Sequence, residues 1–117
     1  MGRPAIVEPT PIPLPDGELM ARLFRALGDT TRLSILELLI EDGAKTQKEI
    51  LTHVDLSQGR VSQHLACLRW CGFVTAEKTG REVIYQVASP RVGALVDLTR
   101  IYLENTEADI ASCRVVD

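Results

Sequence analysis

The sequence has few aromatic residues and no long apolar segment. Aromatic side chains make up 4% of its 117 residues, whereas hydrophobic residues of all kinds make up 45%, so a folded core must consist mainly of aliphatic side chains. No apolar run approaches the roughly 20 residues of a membrane helix. The N-terminus also lacks the basic-then-apolar pattern of a secretory signal. We therefore expect one globular domain in the cytoplasm, without a membrane partner.

Cysteine is also scarce, with three residues in the chain. An odd number of thiols in a reducing compartment argues against a disulfide framework. The sequence contains no glycine-rich phosphate loop, paired-histidine metal motif or nucleophile elbow, the motifs that would indicate common enzyme classes. We therefore predict a protein that is not an enzyme, whose cysteines are either small core residues or thiols with a chemical function.

Positive charge is in the minority, but it is concentrated in one segment. The net charge of the chain is -3. Residues 57–81, however, carry four basic side chains and one acidic side chain, a local net charge of +3. The basic residues are Arg60, Arg69, Lys78 and Arg81. A basic patch on an acidic body is suited to binding DNA at a particular site, because the rest of the surface repels polyanions.

Proline divides the chain into two parts. Five of the six prolines lie within residues 1–15, which excludes a regular helix there and predicts an extended, mobile arm. Residues 16–117 are predicted to form the folded domain. Its first helix begins at Asp16 and ends near Gly28, where the helical spacing of leucines stops.

Capping residues divide the remaining domain into four more helices and a hairpin. Helices are predicted at about 29–43, 46–53, 57–71 and from 89 onward, and two β-like runs at 73–78 and 82–88 form the hairpin. This order predicts a mainly α-helical α+β fold, a winged helix-turn-helix with five helices and a two-stranded wing. A generic small α+β domain is the alternative. The coincidence of basic charge with the fourth helix and the hairpin tip argues against it.

The fourth helix has an apolar stripe and a polar face. Val61, Leu65 and Leu68 share one side and are predicted to pack on the core. Polar side chains that point away from this stripe are suited to base edges, and basic side chains are suited to phosphates. The candidate DNA-binding residues are Gln58, Arg60, Ser62, Gln63, Arg69, Lys78 and Arg81. An ordinary solvated helix face is the alternative interpretation of the same pattern.

Three stretches of the sequence resemble the signature of the ArsR/SmtB family of bacterial repressors. They are Ala26–Leu36, Val61–Val74 and the wing residues Gly80, Arg81 and Tyr85. The resemblance covers roughly residues 18–103. It implies a winged-helix homodimer, joined mainly through the first and last helices, that blocks a promoter until an inducer binds. It also places Val61–Leu65 on the recognition helix, so His64 is either a structural residue or a further candidate DNA-binding residue.

Cys67 and Cys71 are four residues apart on the fourth helix, so their side chains are neighbours on one face. They lie about a quarter turn or more from the centre of the core stripe, and two thiolates in this arrangement can bind one ion. The third cysteine, Cys113, belongs to a polar C-terminal segment, and a tail or frayed helix end there can swing toward the pair. The alternatives are small buried side chains for the pair and an incidental exposed thiol for Cys113.

The resemblance also limits where a metal can bind. The chain lacks the cysteines that some family members carry between the second and third helices, and it lacks the Asp and His set of the last helix. Cys67, Cys71 and Cys113 together resemble the CmtR-type branch of cadmium and lead repressors. Thiolate ligands favour soft or borderline ions, so Cd2+, Pb2+, Hg2+, Zn2+ and trivalent arsenic are admissible, and Mg2+ and Ca2+ are not.

These observations predict a repressor that binds operator DNA as an apo homodimer and is released by a soft metal ion. Cd2+ or Pb2+ is the preferred inducer, followed by Hg2+, and Cys67, Cys71 and Cys113 are the predicted ligands. The alternative function is thiol-redox or persulfide sensing by the same cysteines. A protein-interaction module is a further alternative, which DNA binding in a shift assay would eliminate.

Overall fold

A computed structural model describes residues 14–114, which form five helices and three short strands. The elements are α1 (Leu14–Leu27), α2 (Thr30–Asp42), β1 (Lys45–Thr46), α3 (Gln47–His53), α4 (Gln58–Trp70), β2 (Val74–Thr79), β3 (Glu82–Val87) and α5 (Pro90–Ser112). Residues 1–13, and with them most of the predicted arm, lie outside the described part of the chain. Helix α1 begins at Leu14, two residues earlier than predicted. Pro15 is compatible with this start because the first turn of a helix leaves its N–H groups without intrahelical partners.

The predicted caps set the helix boundaries. Asp29, Ser57 and Ser89 each accept a hydrogen bond from a backbone N–H in the first turn of the following helix. Thr46 and Glu49 form a reciprocal capping box at the start of α3. These hydrogen bonds satisfy N–H groups that a helix start leaves unpaired, which is why short polar side chains are preferred there. The predicted boundaries of α2, α3 and α4 are thereby confirmed to within one or two residues.

The core lies where α2, α3 and α4 meet. Ile35, Leu36 and Ile50 are completely buried there. The stripe predicted for α4 is confirmed, since Val61, Leu65 and Leu68 are each at most 1% exposed. Burial of this side holds α4 firmly against the domain and turns its other side outward.

The wing is a hairpin with a third strand attached. Strands β2 and β3 pair from Val74 opposite Val87 to Thr79 opposite Glu82, and Gly80 occupies the turn with a φ of 63°, a conformation that glycine adopts without strain. Strand β1, which was not predicted from the sequence, pairs antiparallel with β3. Its two residues are too few to show an alternating pattern. The pairing ties the start of α3 to the wing.

Helix α5 differs most from the prediction, because it continues to Ser112 and Cys113 is its C-cap. The polar segment before Cys113 is therefore helical and is not a frayed end or a tail. Its glutamates and alanines are good helix formers, and no glycine or proline interrupts them. No helix between residues 14 and 114 is long and apolar enough to cross a membrane.

Asp29 gives a first testable prediction. Its carboxylate caps α2, and the backbone N–H of Arg32, at 3.0 Å, lowers its pKa. Asp29→Ala should destabilise the domain by about 1 kcal/mol, whereas Asp29→Asn keeps the capping hydrogen bond. Because the folded-state pKa is lowered, the charged form contributes stability above the unfolded value of about 3.9, and this contribution is lost as the pH falls through the folded value.

Thermal unfolding measured from pH 6 down to pH 3 tests this assignment. The wild type should lose more stability over this range than Asp29→Asn, which has no titrating group at the cap. Equal losses in the two proteins would mean that the charge of Asp29 contributes nothing to the cap.

Candidate nucleic-acid interface and thiol site

The outward side of α4 carries the polar residues that the sequence pattern predicts to contact DNA. The side chains of Gln58, Arg60, Ser62, Gln63 and Arg69 are all exposed. On the wing, Lys78 lies near the end of β2 and Arg81 in the turn, and both are also exposed. These seven residues are therefore available to an external partner, and DNA is the partner that their chemistry suits.

His64 takes the structural one of its two predicted positions. Only 14% of its side chain is exposed, and its Nδ1 lies 3.2 Å from the Arg32 guanidinium and 3.9 Å from the Asp29 carboxylate. The reason is the helical period, because residue 64 follows Val61 by three positions and precedes Leu68 by four, so it borders the core stripe. His64 thus links α4 to the start of α2, and its role toward DNA stays a prediction.

Arg32 connects three helices and was missed from the sequence. Its guanidinium donates to the carbonyls of Ala26 at 2.6 Å and Arg25 at 3.2 Å, at the end of α1. The same group contacts His64 on α4. A cation at a helix C-terminus satisfies free carbonyls and opposes the negative end of the helix dipole. Arg32 therefore links α1, α2 and the outward-facing helix α4.

The thiols of Cys67 and Cys71 lie together at the C-terminal end of α4. The Cys67 side chain is half-buried and packs against the core, as the alternative of a small buried side chain predicts for this position. Cys71 is the exposed C-cap, and its N–H donates to the Cys67 carbonyl at 3.0 Å. Gly72 follows with a φ of 82° and ends the helix. The pair is thus rigid at Cys67 and accessible at Cys71.

Although Cys71 is exposed overall, neighbouring protein atoms partly desolvate its thiol and raise its pKa, and the adjacent Cys67 raises it further through repulsion between the two thiolates. The positive charge of Arg32 acts in the opposite direction. The exposed thiol therefore holds its proton more tightly than a free cysteine. A bound cation would remove the repulsion between the two thiolates, which is the chemistry expected of a metal-binding pair.

Cys113 is half-buried at the end of α5. Within residues 14–114 of one chain, no three His, Cys, Asp or Glu side chains lie close enough together to hold a metal ion. One chain therefore brings Cys67 and Cys71 together but does not bring Cys113 to them. The role of Cys113 as the third ligand stays a prediction.

The fold and the polar face of α4 define the class of this protein, a winged-helix regulator with α3 and α4 as its helix-turn-helix. The sequence profile of bacterial regulatory proteins of the arsR family matches residues 29–76. The chain is 40% identical over 102 residues to the "Probable mercury resistance operon repressor" of Streptomyces lividans, covering 87% of this chain and 81% of that protein. The chain belongs to the ArsR family, and it is a transcriptional regulator and not an enzyme.

Further relatives agree with this assignment. The HTH-type transcriptional regulator CmtR of Mycobacterium bovis is 42% identical over 85 residues, which is 72% of this chain and 71% of that protein. The crystal structure of Mycobacterium tuberculosis Rv0081 has a TM-score of 0.76 at 33% identity and covers 84% of this chain and 98% of that one. The homodimeric winged helix-turn-helix domain of Mycobacterium bovis Mb0332 has a TM-score of 0.72 at 25% identity, covering 85% and 91%.

Proposed function

We propose that this protein represses transcription by binding operator DNA as an apo homodimer, and that a soft metal ion bound by Cys67 and Cys71 releases it. Cd2+ or Pb2+ is the preferred inducer, followed by Hg2+. The observation that carries the proposal is the position of the thiol pair, on the same helix whose outward side presents Ser62 and Gln63. The mercury resistance operon repressor among the relatives supports a metal as the inducer, and the resemblance of the three cysteines to the CmtR-type branch favours Cd2+ or Pb2+.

One chain supplies two of the ligands that a soft metal ion needs. Two adjacent thiols supply soft ligands, and Cys71 is accessible to an incoming ion. Two ligands leave a Cd2+ or Pb2+ ion unsaturated, so the site needs at least one more donor. Cys113 is the remaining thiol, and the lack of a three-residue cluster within residues 14–114 favours a donor from the partner chain.

A dimer also accounts for apolar surface that one chain leaves uncovered. Phe24 of α1 is 63% exposed, and Leu98, Ile101 and Tyr102 of α5 are between 57% and 65% exposed. Phe24 also lines an apolar groove of about 610 Å³ between α1, α2 and α5. An apolar patch of this kind on a small domain is typical of an interface. The homodimeric Mb0332 domain supports a second copy as the partner.

The coupling between metal and DNA follows from the rigidity of α4. Because Cys67 packs against the core, drawing both thiols toward one ion moves the buried side of the helix as well as its end. The contact of His64 with Arg32 carries this movement to α1 and α2. A coupling free energy of about 1 to 3 kcal/mol, equivalent to about 5- to 150-fold in DNA affinity, is sufficient for induction.

Mixed dimers test whether Cys113 completes the site of the partner. One chain carries Cys67→Ser with Cys71→Ser, and the other carries Cys113→Ser. If Cys113 acts across the interface, the mixed dimer has one complete site, and tight Cd2+ binding with strong ultraviolet thiolate-to-metal absorption should return at half the wild-type stoichiometry. Neither parent homodimer should show it. A mixed dimer that binds no better than its parents would place Cys113 in its own chain or outside the site.

Redox sensing is the second candidate, because the two thiols are neighbours at the end of α4 and Cys71 is exposed. A disulfide requires restricted dihedral angles, so the end of α4 would have to rearrange. Trp70 precedes Cys71 and is 88% exposed, so its fluorescence should report either metal binding or oxidation of the thiols. Release of DNA by peroxide or polysulfide without metal would favour redox sensing. Saturation at a fixed metal-to-protein ratio would favour the metal.

A further inference from the structure

A hydrogen bond between α3 and α4 lies on the proposed DNA-binding face. The Gln47 side-chain amide, Nε2, donates to the Ser62 hydroxyl, Oγ, at 2.7 Å. Gln47 is the first residue of α3, directly after the Thr46 cap. Its backbone is held by the capping box and by the pairing of β1 with β3. Gln47 therefore approaches Ser62 from a rigid position.

The direction of this hydrogen bond limits what Ser62 can do. A serine hydroxyl has one hydrogen to donate and two lone pairs to accept with. Gln47 occupies one lone pair, so the hydroxyl hydrogen must point elsewhere. Hydroxyls on helices often donate back to a carbonyl of the preceding turn, as Thr99 and Thr106 do on α5. Among the hydrogen bonds of residues 14–114, none has the Ser62 hydroxyl as its donor.

We propose that Gln47 is a specificity-determining positioning residue, which holds the Ser62 hydroxyl as a hydrogen-bond donor toward the major groove. The proposal rests on DNA binding through α4. Guanine, adenine and thymine each present a major-groove acceptor, whereas cytosine presents only its N4 amino donor. Cytosine should therefore be disfavoured at the operator position that faces Ser62. One neutral hydrogen bond changes affinity by about 2- to 12-fold, and this is the expected discrimination.

Three variants test the proposal on duplexes that the wild-type protein selects from a randomised DNA pool. Ser62→Ala identifies the operator position that Ser62 contacts, because it is the one position of each half-site at which the base preference should disappear. In Gln47→Glu, the new carboxylate accepts the hydrogen of the Ser62 hydroxyl, so that hydroxyl presents only a lone pair to the base. Cytosine, which presents an amino donor, should then become favoured over guanine and thymine. Gln47→Met releases the hydroxyl, so the preference should flatten. An acidic residue suits the first turn of α3, so Gln47→Glu should fold.

Gln86→Glu on β3 is the matched control, because it adds the same charge at an exposed position without a contact to Ser62. Its base preferences should equal those of the wild type even if its overall affinity falls. Wild-type preferences at every position in Gln47→Glu and Gln47→Met would overturn the proposal, and so would a wild-type preference for cytosine opposite Ser62. Failure of the wild type to select any duplex would overturn both this proposal and DNA binding. Failure of Cd2+ to release a selected duplex would overturn metal sensing alone.

Discussion

Cys71→Ser should abolish the release of DNA by Cd2+ while leaving metal-free DNA binding nearly unchanged. The serine hydroxyl is a hard, protonated donor and does not replace a thiolate toward a soft ion. Cys71 is exposed, so its replacement should change stability by at most about 0.5 kcal/mol. The wild type should lose about 5- to 150-fold in DNA affinity when Cd2+ is added, and the variant should lose none. Fluorescence anisotropy of labelled operator DNA measures the affinity of each protein with and without Cd2+.

A neighbouring substitution on the same helix controls for disturbance of α4. Ala66→Ser introduces a hydroxyl at an exposed position beside Cys67 without removing a thiol, so its Cd2+ response should match that of the wild type. Cys67→Ser should behave like Cys71→Ser, with a larger loss of stability because its side chain packs on the core. An equal Cd2+ response in wild type and Cys71→Ser would eliminate the thiol pair as the sensor.

The same response should depend on pH. The pKa of Cys71 is raised by burial and by Cys67, so near neutral pH the thiol is protonated and must lose its proton to bind metal. Each proton released on binding increases metal affinity by about tenfold per pH unit below that pKa. Cd2+ titrations at pH 6.5, 7.5 and 8.5 should therefore show steadily tighter binding. Affinity independent of pH would mean that the ligands are not thiols.

The sequence predicted the helices well because their boundaries depend on local chemistry. Thr46 and Glu49 are three residues apart, and Ser57 accepts a hydrogen bond from the N–H of the third residue after it. Both capping patterns are therefore visible in a short stretch of sequence. The outward position of Ser62 and Gln63 follows from the helical period alone. The proximity of Cys67 and Cys71 follows from the same period.

What the sequence could not predict depends on contacts between distant residues. Arg32 and His64 are 32 positions apart, and Gln47 and Ser62 are 15 apart, so no local pattern indicates either hydrogen bond. The sequence left His64 either structural or DNA-facing, and its contact with Arg32 could be found only in the folded chain. The third metal ligand cannot be assigned from a single chain, because that chain does not bring Cys113 to Cys67 and Cys71.

Charge placed on the apolar face of α5 should separate the proposed dimer. Leu98 and Ile101 are 63% and 57% exposed in one chain, so replacing both with aspartate should leave the fold of that chain intact. In a dimer both positions would be buried, and an unpaired carboxylate there is strongly unfavourable. The double variant should sediment as a monomer. Its operator affinity should fall by about 100-fold or more, because two linked half-site contacts become one.

The sedimentation and DNA measurements must be made together, because loss of DNA binding alone has other causes. Gln86→Glu with Ala88→Asp adds the same charge at two exposed positions that do not line the apolar groove, so this variant should remain dimeric and keep most of its affinity. A Leu98→Asp, Ile101→Asp protein that still forms a dimer would place the interface elsewhere. A protein that becomes a monomer but keeps wild-type affinity would show that one α4 is sufficient, and a site shared between two chains would then not be needed for repression.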